Sequence, residues 1–144
     1  MLKFSVKFDD LEMLKEIRKQ KKKSLTVGFF DETYPDGTRI GKIATINEYG
    51  VPERNQPPRP FMRNTIIKNR KKWLDILQDI VPQNMNLERS LNILGDVIAD
   101  DVSEMIRAFA VPENRESTIA RKGFNDPLVE TGRMRDSVGW KVGA

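Results

Sequence analysis

The stretch Leu87-Glu88-Arg89-Ser90-Leu91-Asn92-Ile93-Leu94-Gly95-Asp96-Val97-Ile98-Ala99-Asp100-Asp101-Val102-Ser103-Glu104-Met105-Ile106-Arg107-Ala108-Phe109 decides the architecture. Leu87, Leu91, Leu94, Ile98, Val102, Met105, Ile106 and Phe109 recur at steps of three and four, the spacing that lines one face of an α-helix. At 1.5 Å per residue such a helix is roughly 35 Å long. Its apolar stripe has to be covered by another layer. On the opposite face Asp96, Asp100 and Glu104 follow one another every four residues. Like charges at that spacing repel weakly, which water tolerates. The acidic face is therefore read in two ways: a solvated face, or a docking face for a basic surface such as a Lys/Arg run on a neighbouring copy.

Working upstream, Phe61, Met62, Thr65, Ile66, Trp73, Leu74, Leu77 and Ile80 predict a second long helix. Pro60 suits its first turn and Pro82 is expected to stop it. Before it, Pro52 to Pro60 holds four prolines in nine positions and predicts an extended, stiff connector. Ile40 to Tyr49 predicts a short helix, with Gly50 in a left-handed cap. Tyr34-Pro35-Asp36-Gly37-Thr38 predicts a type I turn, with Pro second and Gly fourth.

Toward the N-terminus, Ser24 to Phe30 reads as a strand, and Leu11, Leu14 and Ile17 place a helix that runs to about Lys22. Asp9 is its expected N-cap, with Glu12 at N3. Leu2, Phe4, Val6 and Phe8 alternate with polar residues and predict a first strand. Downstream, Val111 to Glu130 shows no periodicity and predicts a long loop, in which Ser117 to Ala120 is a short candidate edge strand. Thr131 is the expected cap of a helix over Gly132 to Asp136, and Ser137 to Val142 alternates as a closing strand. The order β-α-β-α-α-α-loop-α-β predicts an α+β fold. In it, a small mixed or antiparallel β-sheet packs against two long α-helices, with a Pro-rich connector and a long C-terminal loop.

The 144 residues suit one domain. The chain has neither Cys nor His, which excludes a disulfide framework, a thiolate metal site, a cysteine nucleophile and an imidazole base. It lacks the roughly 18 consecutive apolar residues needed to span a bilayer, and MLKFSVKFDD has no secretory apolar core, so a cytosolic domain with no membrane partner is expected. Phosphate-loop and dinucleotide fingerprints are missing from the sequence. Asp31-Glu32 and Asp100-Asp101 could be proposed as a metal pair, and ordinary loop and helix acids are the simpler reading of both. The expectation is therefore no catalytic, metal or cofactor-binding residue.

The charge is uneven. Residues 1–80 hold 17 Lys/Arg against 11 Asp/Glu, and residues 81–144 hold 8 against 10. The excess lies in Arg18 to Lys23 and Lys68 to Lys72. Lys21, Lys22, Lys23, Arg70, Lys71 and Lys72 are the candidate phosphate contacts. The plainer alternative for each run is a solvated helix end, where cations complement the dipole.

Two segments carry a family resemblance. Val27-Gly28-Phe29-Phe30, Tyr34-Pro35-Asp36-Gly37, Ile43-Ala44, Asn47-Glu48-Tyr49-Gly50 and Pro57-Pro58-Arg59-Pro60-Phe61-Met62-Arg63 follow in order. Thr118-Ile119-Ala120-Arg121-Lys122-Gly123, Pro127-Leu128-Val129-Glu130-Thr131-Gly132-Arg133-Met134 and Ser137-Val138 come after them. Together they resemble tail-component proteins of tailed bacteriophages: neck, tail-completion, head-tail joining and virion morphogenesis proteins. Glu130 stands where that family more often has Asp. The resemblance implies a structural virion protein without enzymatic activity or cofactor. It would be assembled in the host cytoplasm into a ring, commonly six-fold, where the tail tube meets the head connector. Its implied partners are further copies of itself, the head connector or adaptor, and the tail tube or terminator. A proline-stiffened arm costs little entropy to order, and a long loop that orders on assembly would lock neighbours together. The candidate interface residues are therefore Pro57, Pro58, Arg59, Pro60, Phe61 and Arg63 in the connector, with Thr118, Arg121, Lys122, Pro127, Leu128, Val129 and Thr131 in the loop. A tail terminator, an assembly factor that stays out of the virion, a DNA-contacting module and a small phage enzyme are the competing readings.

Overall fold

The computed structural model describes residues 11–84, 86–109, 120 and 132–143. The first strand, the Asp9 cap and most of the long loop fall outside the described residues; Ala120, within the candidate edge strand, is helical. The elements are α1 (Leu11–Lys19), β1 (Ser24–Gly28), α2 (Ile40–Tyr49), α3 (Phe61–Asn84), α4 (Leu87–Ala108), α5 (Arg133–Asp136) and β2 (Gly139–Gly143). The fold is α+β: a small antiparallel sheet packed with two long helices.

The sheet consists of β1, which follows α1, and β2, the last described element. Leu25 lies opposite Val142 and Val27 opposite Trp140, while Thr26 faces Lys141. Strand alternation puts Leu25, Val27, Trp140 and Val142 on one half-buried face and Thr26 and Lys141 on the exposed one. The inner face lies on α4, which also packs along α3. α4 is thus the central element, and its apolar stripe is the one the sequence shows. Leu94, Val102 and Ile106 are almost fully buried, together with Trp73 of α3, Ile40 of α2 and Phe61. Burial of each such side chain contributes about 1.5–3 kcal/mol.

Gly95 explains how the sheet approaches α4. A Cβ at this position would lie 2.4 Å from Trp140 Cδ1 and 2.5 Å from its Cγ. The indole rests directly on the helix backbone, and its Nε1 donates to Asn92 Oδ1 at 3.1 Å. Two side chains close the start of α4. Asn86 Oδ1 accepts from Arg89 N at 3.0 Å, and Gln20 Oε1, just after α1, accepts from Leu87 N at 2.8 Å. Both satisfy amides that the helix itself leaves open.

Several boundaries differ from the sequence reading. α1 ends at Lys19 rather than Lys22, and β1 ends at Gly28. Phe29 instead leaves the strand to meet Phe61 edge-on, with ring centroids 6.2 Å apart. Residues 52–60 are not simply extended. Pro52–Arg54 forms a 3-10 turn, and Val51 and Gln56 exchange backbone hydrogen bonds across it at 2.9 and 3.1 Å. Proline suits the first position of such a turn, whose amide has no partner in any case.

α3 runs through Pro82 to Asn84. Pro82 has no N–H for the Gln78 carbonyl, and both residues are exposed, where an unpaired carbonyl costs little. Gly50 has φ 72° and ψ 178°, positive but not the left-handed helical cap. The left-handed residue before α5 is Gly132 (φ 75°), which occupies the cap position expected for Thr131; Thr131 itself lies outside the described residues. The Tyr34–Thr38 turn forms as read: Gly37 N donates to Tyr34 O at 2.9 Å, and Thr38 N to Asp36 Oδ1 at 2.9 Å.

Candidate functional site

The two halves of the proximal resemblance meet in one fixture. Asn47-Glu48-Tyr49-Gly50 closes α2, and Pro57 to Arg63 opens α3. Glu48 is buried between them. Its Oε2 accepts from Met62 N at 2.8 Å, and its Oε1 from Arg63 N at 3.2 Å and Arg63 Nε at 2.8 Å. The carboxylate therefore caps the first turn of α3, where it also complements the helix dipole. Arg63 reaches back to donate from Nη2 to Glu48 O at 2.9 Å, and its guanidinium lies 5.2 Å from the Tyr49 ring centroid, in cation–π range. A buried charge is tolerable when it is paired and hydrogen-bonded in this way.

Gly50 fits the same fixture. A Cβ on it would meet Gln56 O at 2.6 Å, Pro58 N at 2.7 Å and Pro57 C at 2.9 Å. The proline segment is thus laid against the end of α2 at a separation only glycine permits. Arg59 N donates to Asn47 O at 2.6 Å, a second tie between the two segments. Burial lowers the Arg59 guanidinium pKa from its ordinary value.

This geometry corrects the interface reading within the connector. Phe61 is 1% exposed and belongs to the core, and Arg59 is buried against its own chain. Neither projects as part of an arm. Pro57, Pro58 and Arg63 are exposed, and Pro60 is half-buried as the residue whose carbonyl accepts from Asn64 N at 2.9 Å. Thr118, Arg121, Lys122, Pro127, Leu128, Val129 and Thr131 lie outside the described residues.

The basic runs do not form two continuous patches. Lys21 and Lys22 are exposed after α1, whereas Lys23 pairs with Glu88 at 3.1 Å. The second run sits in the middle of α3, not at a helix end. At about 100° of rotation per residue its side chains diverge. Lys72 turns to α4, where the Asp101 carboxylate holds it at 2.7 Å. Lys71 pairs with Asp75 at 2.9 Å, which raises the lysine's pKa. Lys68 and Arg70 make no ion pair among the described residues. Asp101 also accepts from Trp73 Nε1 at 2.7 Å, which fixes the indole between the long helices. The acid considered as part of a metal pair is thus already engaged.

An open cleft of about 540 Å³ lies between α4 and the α5–β2 segment, lined in part by Asp100, Ser103, Glu104, Arg135 and Trp140. Its charged groups are largely matched: Arg135 Nε is 2.9 Å from Asp136 Oδ1, and Arg107 pairs with Glu104.

The chain matches no family model, no curated protein and no solved structure. The site is accordingly described by its own geometry: a rigid junction that presents side chains outward. In the sequence Glu48 stands out only as part of the Asn47–Gly50 motif. Its partners lie fourteen and fifteen residues away, so no local spacing marked it as the cap of α3.

Proposed function

We propose that the protein is a structural component of a tailed bacteriophage virion, acting in head-tail joining or tail completion as a ring-forming subunit at the neck. The observation that carries this reading is the junction at Glu48. The segments in which the sequence resembles neck and tail-completion proteins are bound to each other through one buried carboxylate. Their polar groups stabilise a shape, and the shape presents Tyr49, Pro57 and Pro58 to the outside. That is the design of an assembly surface rather than of a reaction centre. The partners are further copies of the chain, the head connector and the tail tube or terminator.

The test is to delete the gene from the virus that encodes it and to analyse purified wild-type particles by mass spectrometry. Filled heads and separate tails in the deletion, with the protein present in wild-type particles, are the expected result. Joined, infectious particles without the protein would refute the proposal. A protein needed for joining but missing from particles would replace the neck component with an assembly factor.

A further inference from the structure

Tyr49, Ile67 and Ile93 are the large hydrophobic side chains that stand exposed among the described residues. Two of them adjoin Arg63. Tyr49 lies under its guanidinium, and Ile67, 79% exposed, is one helical turn further along α3. Arg70 continues the stripe one turn beyond Ile67, with Lys71 beside it, and both are exposed. Arg63 is held by the Glu48 carboxylate and carbonyl, so this tyrosine-arginine pair loses little freedom when a partner arrives. Tyr and Arg anchors of this kind dominate protein–protein contacts.

The outer face of α4 has the complementary character. Ile93 is exposed there, and Asp96 and Asp100 follow at helical spacing on the same face, exposed and without an ion pair among the described residues. On α3, Arg63 and Lys71 are already paired with Glu48 and Asp75, so Arg70, without an ion pair among the described residues, carries the excess positive charge of that face. On α4, Arg89 stands one turn before Ile93 and offsets part of the charge of Asp96 and Asp100, which leaves that face net acidic. Such a pair of unlike, complementary patches makes a heterologous contact that propagates from copy to copy.

We propose that the Arg63–Ile67–Arg70 face of α3 docks on the Ile93–Asp96–Asp100 face of α4 in a second copy of the chain. The contact deepens the ring-forming reading above, on which it rests, by naming the two surfaces. Charge complementarity selects the partner copy's orientation, and the exposed isoleucines form the dry centre.

The experiment is sedimentation of the full chain over a concentration series, for wild type and two reversed variants. One is Arg70→Glu with Lys71→Glu; the other is Asp96→Lys with Asp100→Lys. Circular dichroism verifies folding, and Asp96→Lys alone replaces the second variant should the double change unfold. Wild type is expected to exceed its 16.6 kDa monomer mass as concentration rises. Each variant alone should associate at least about tenfold more weakly, because reversal sets like charges against each other. Mixing the two variants should restore association, since the acidic α3 face of one now fits the basic α4 face of the other.

Wild type that stays monomeric throughout, or variants that associate like wild type, would overturn the contact. So would loss of duplex DNA binding in the α3 variant with no change in mass, which would assign the basic face to DNA. Particle composition is read separately. A chain present in virions whose association ignores both faces loses this contact and keeps the neck role.

Discussion

Gly95→Ala is the sharpest probe of how the sheet is held on α4. In an exposed helix interior this change stabilises by about 1 kcal/mol, because alanine loses less entropy than glycine. Here the new methyl would stand 2.4 Å from Trp140 Cδ1, 2.5 Å from Cγ and 3.0 Å from Leu25 Cδ1. Carbon atoms in contact prefer about 3.5–4.0 Å, so the indole has to withdraw by roughly 1 Å. Cδ1 and Cγ sit near the root of the side chain, so the withdrawal carries β2 with it and strains the Trp140–Asn92 hydrogen bond. Overpacking of this kind costs about 1–3 kcal/mol, and a weakened hydrogen bond adds up to ~1 kcal/mol. Against the propensity gain, the terms leave a loss of up to about 3 kcal/mol, centred on about 1.5 kcal/mol, or a melting temperature lower by roughly 5 °C. Urea and thermal unfolding followed by tryptophan fluorescence measure it. In a Trp140→Ala background only the flexible end of Leu25, 3.0 Å away, still crowds the methyl and can swing aside, so Gly95→Ala should then cost far less or stabilise. A higher melting temperature for Gly95→Ala with Trp140 in place would refute the close approach.

Three further outcomes follow from the junction and the turn. Glu48→Gln keeps the size of the side chain but removes the charge that holds Arg63 and two amides of α3; it should cost about 2–3 kcal/mol by chemical denaturation, and a cost below 0.5 kcal/mol would show that the cap is idle. Gly50→Ala should cost upwards of ~2 kcal/mol, because its φ of 72° with extended ψ is nearly glycine-only and its Cβ would meet backbone, whereas Gly37→Ala, with open space around it, should cost about 1 kcal/mol; equal melting temperatures for the two variants would contradict this. The Asp36 carboxyl, which accepts from Thr38, should titrate below the usual aspartate range by NMR. Since folding lowers its pKa, its small stabilisation is present above the unfolded value and is lost as pH falls through the folded one. A midpoint at or above that of a peptide would show that the turn bond does not form in solution.

Pro57 to Arg63 was legible as a stiff segment, because proline restricts its own backbone wherever it stands. That Phe61 faces inward was not legible, since a helix entered at Pro60 has no orientation until α2 and α4 fix it. The run Lys68 to Lys72 looks like one patch on paper. It is dispersed around α3 because successive helical residues point in different directions, and only the position of α4 assigns Lys72 to Asp101.

The sequence by itself determined the long helices, the turn at Pro35 to Gly37, and the two strands that pair across the chain, β1 and β2. Periodicity, proline and glycine act within a few residues, and the backbone obeys them locally. Only the tertiary structure decided that Gly95 is a seat for Trp140, that Glu48 caps a helix fourteen residues away, and which hydrophobic residues stay outside. Those outcomes depend on groups distant in the chain meeting at contact distance. Desolvation and steric fit act only after the chain has folded, and no short-range pattern encodes them.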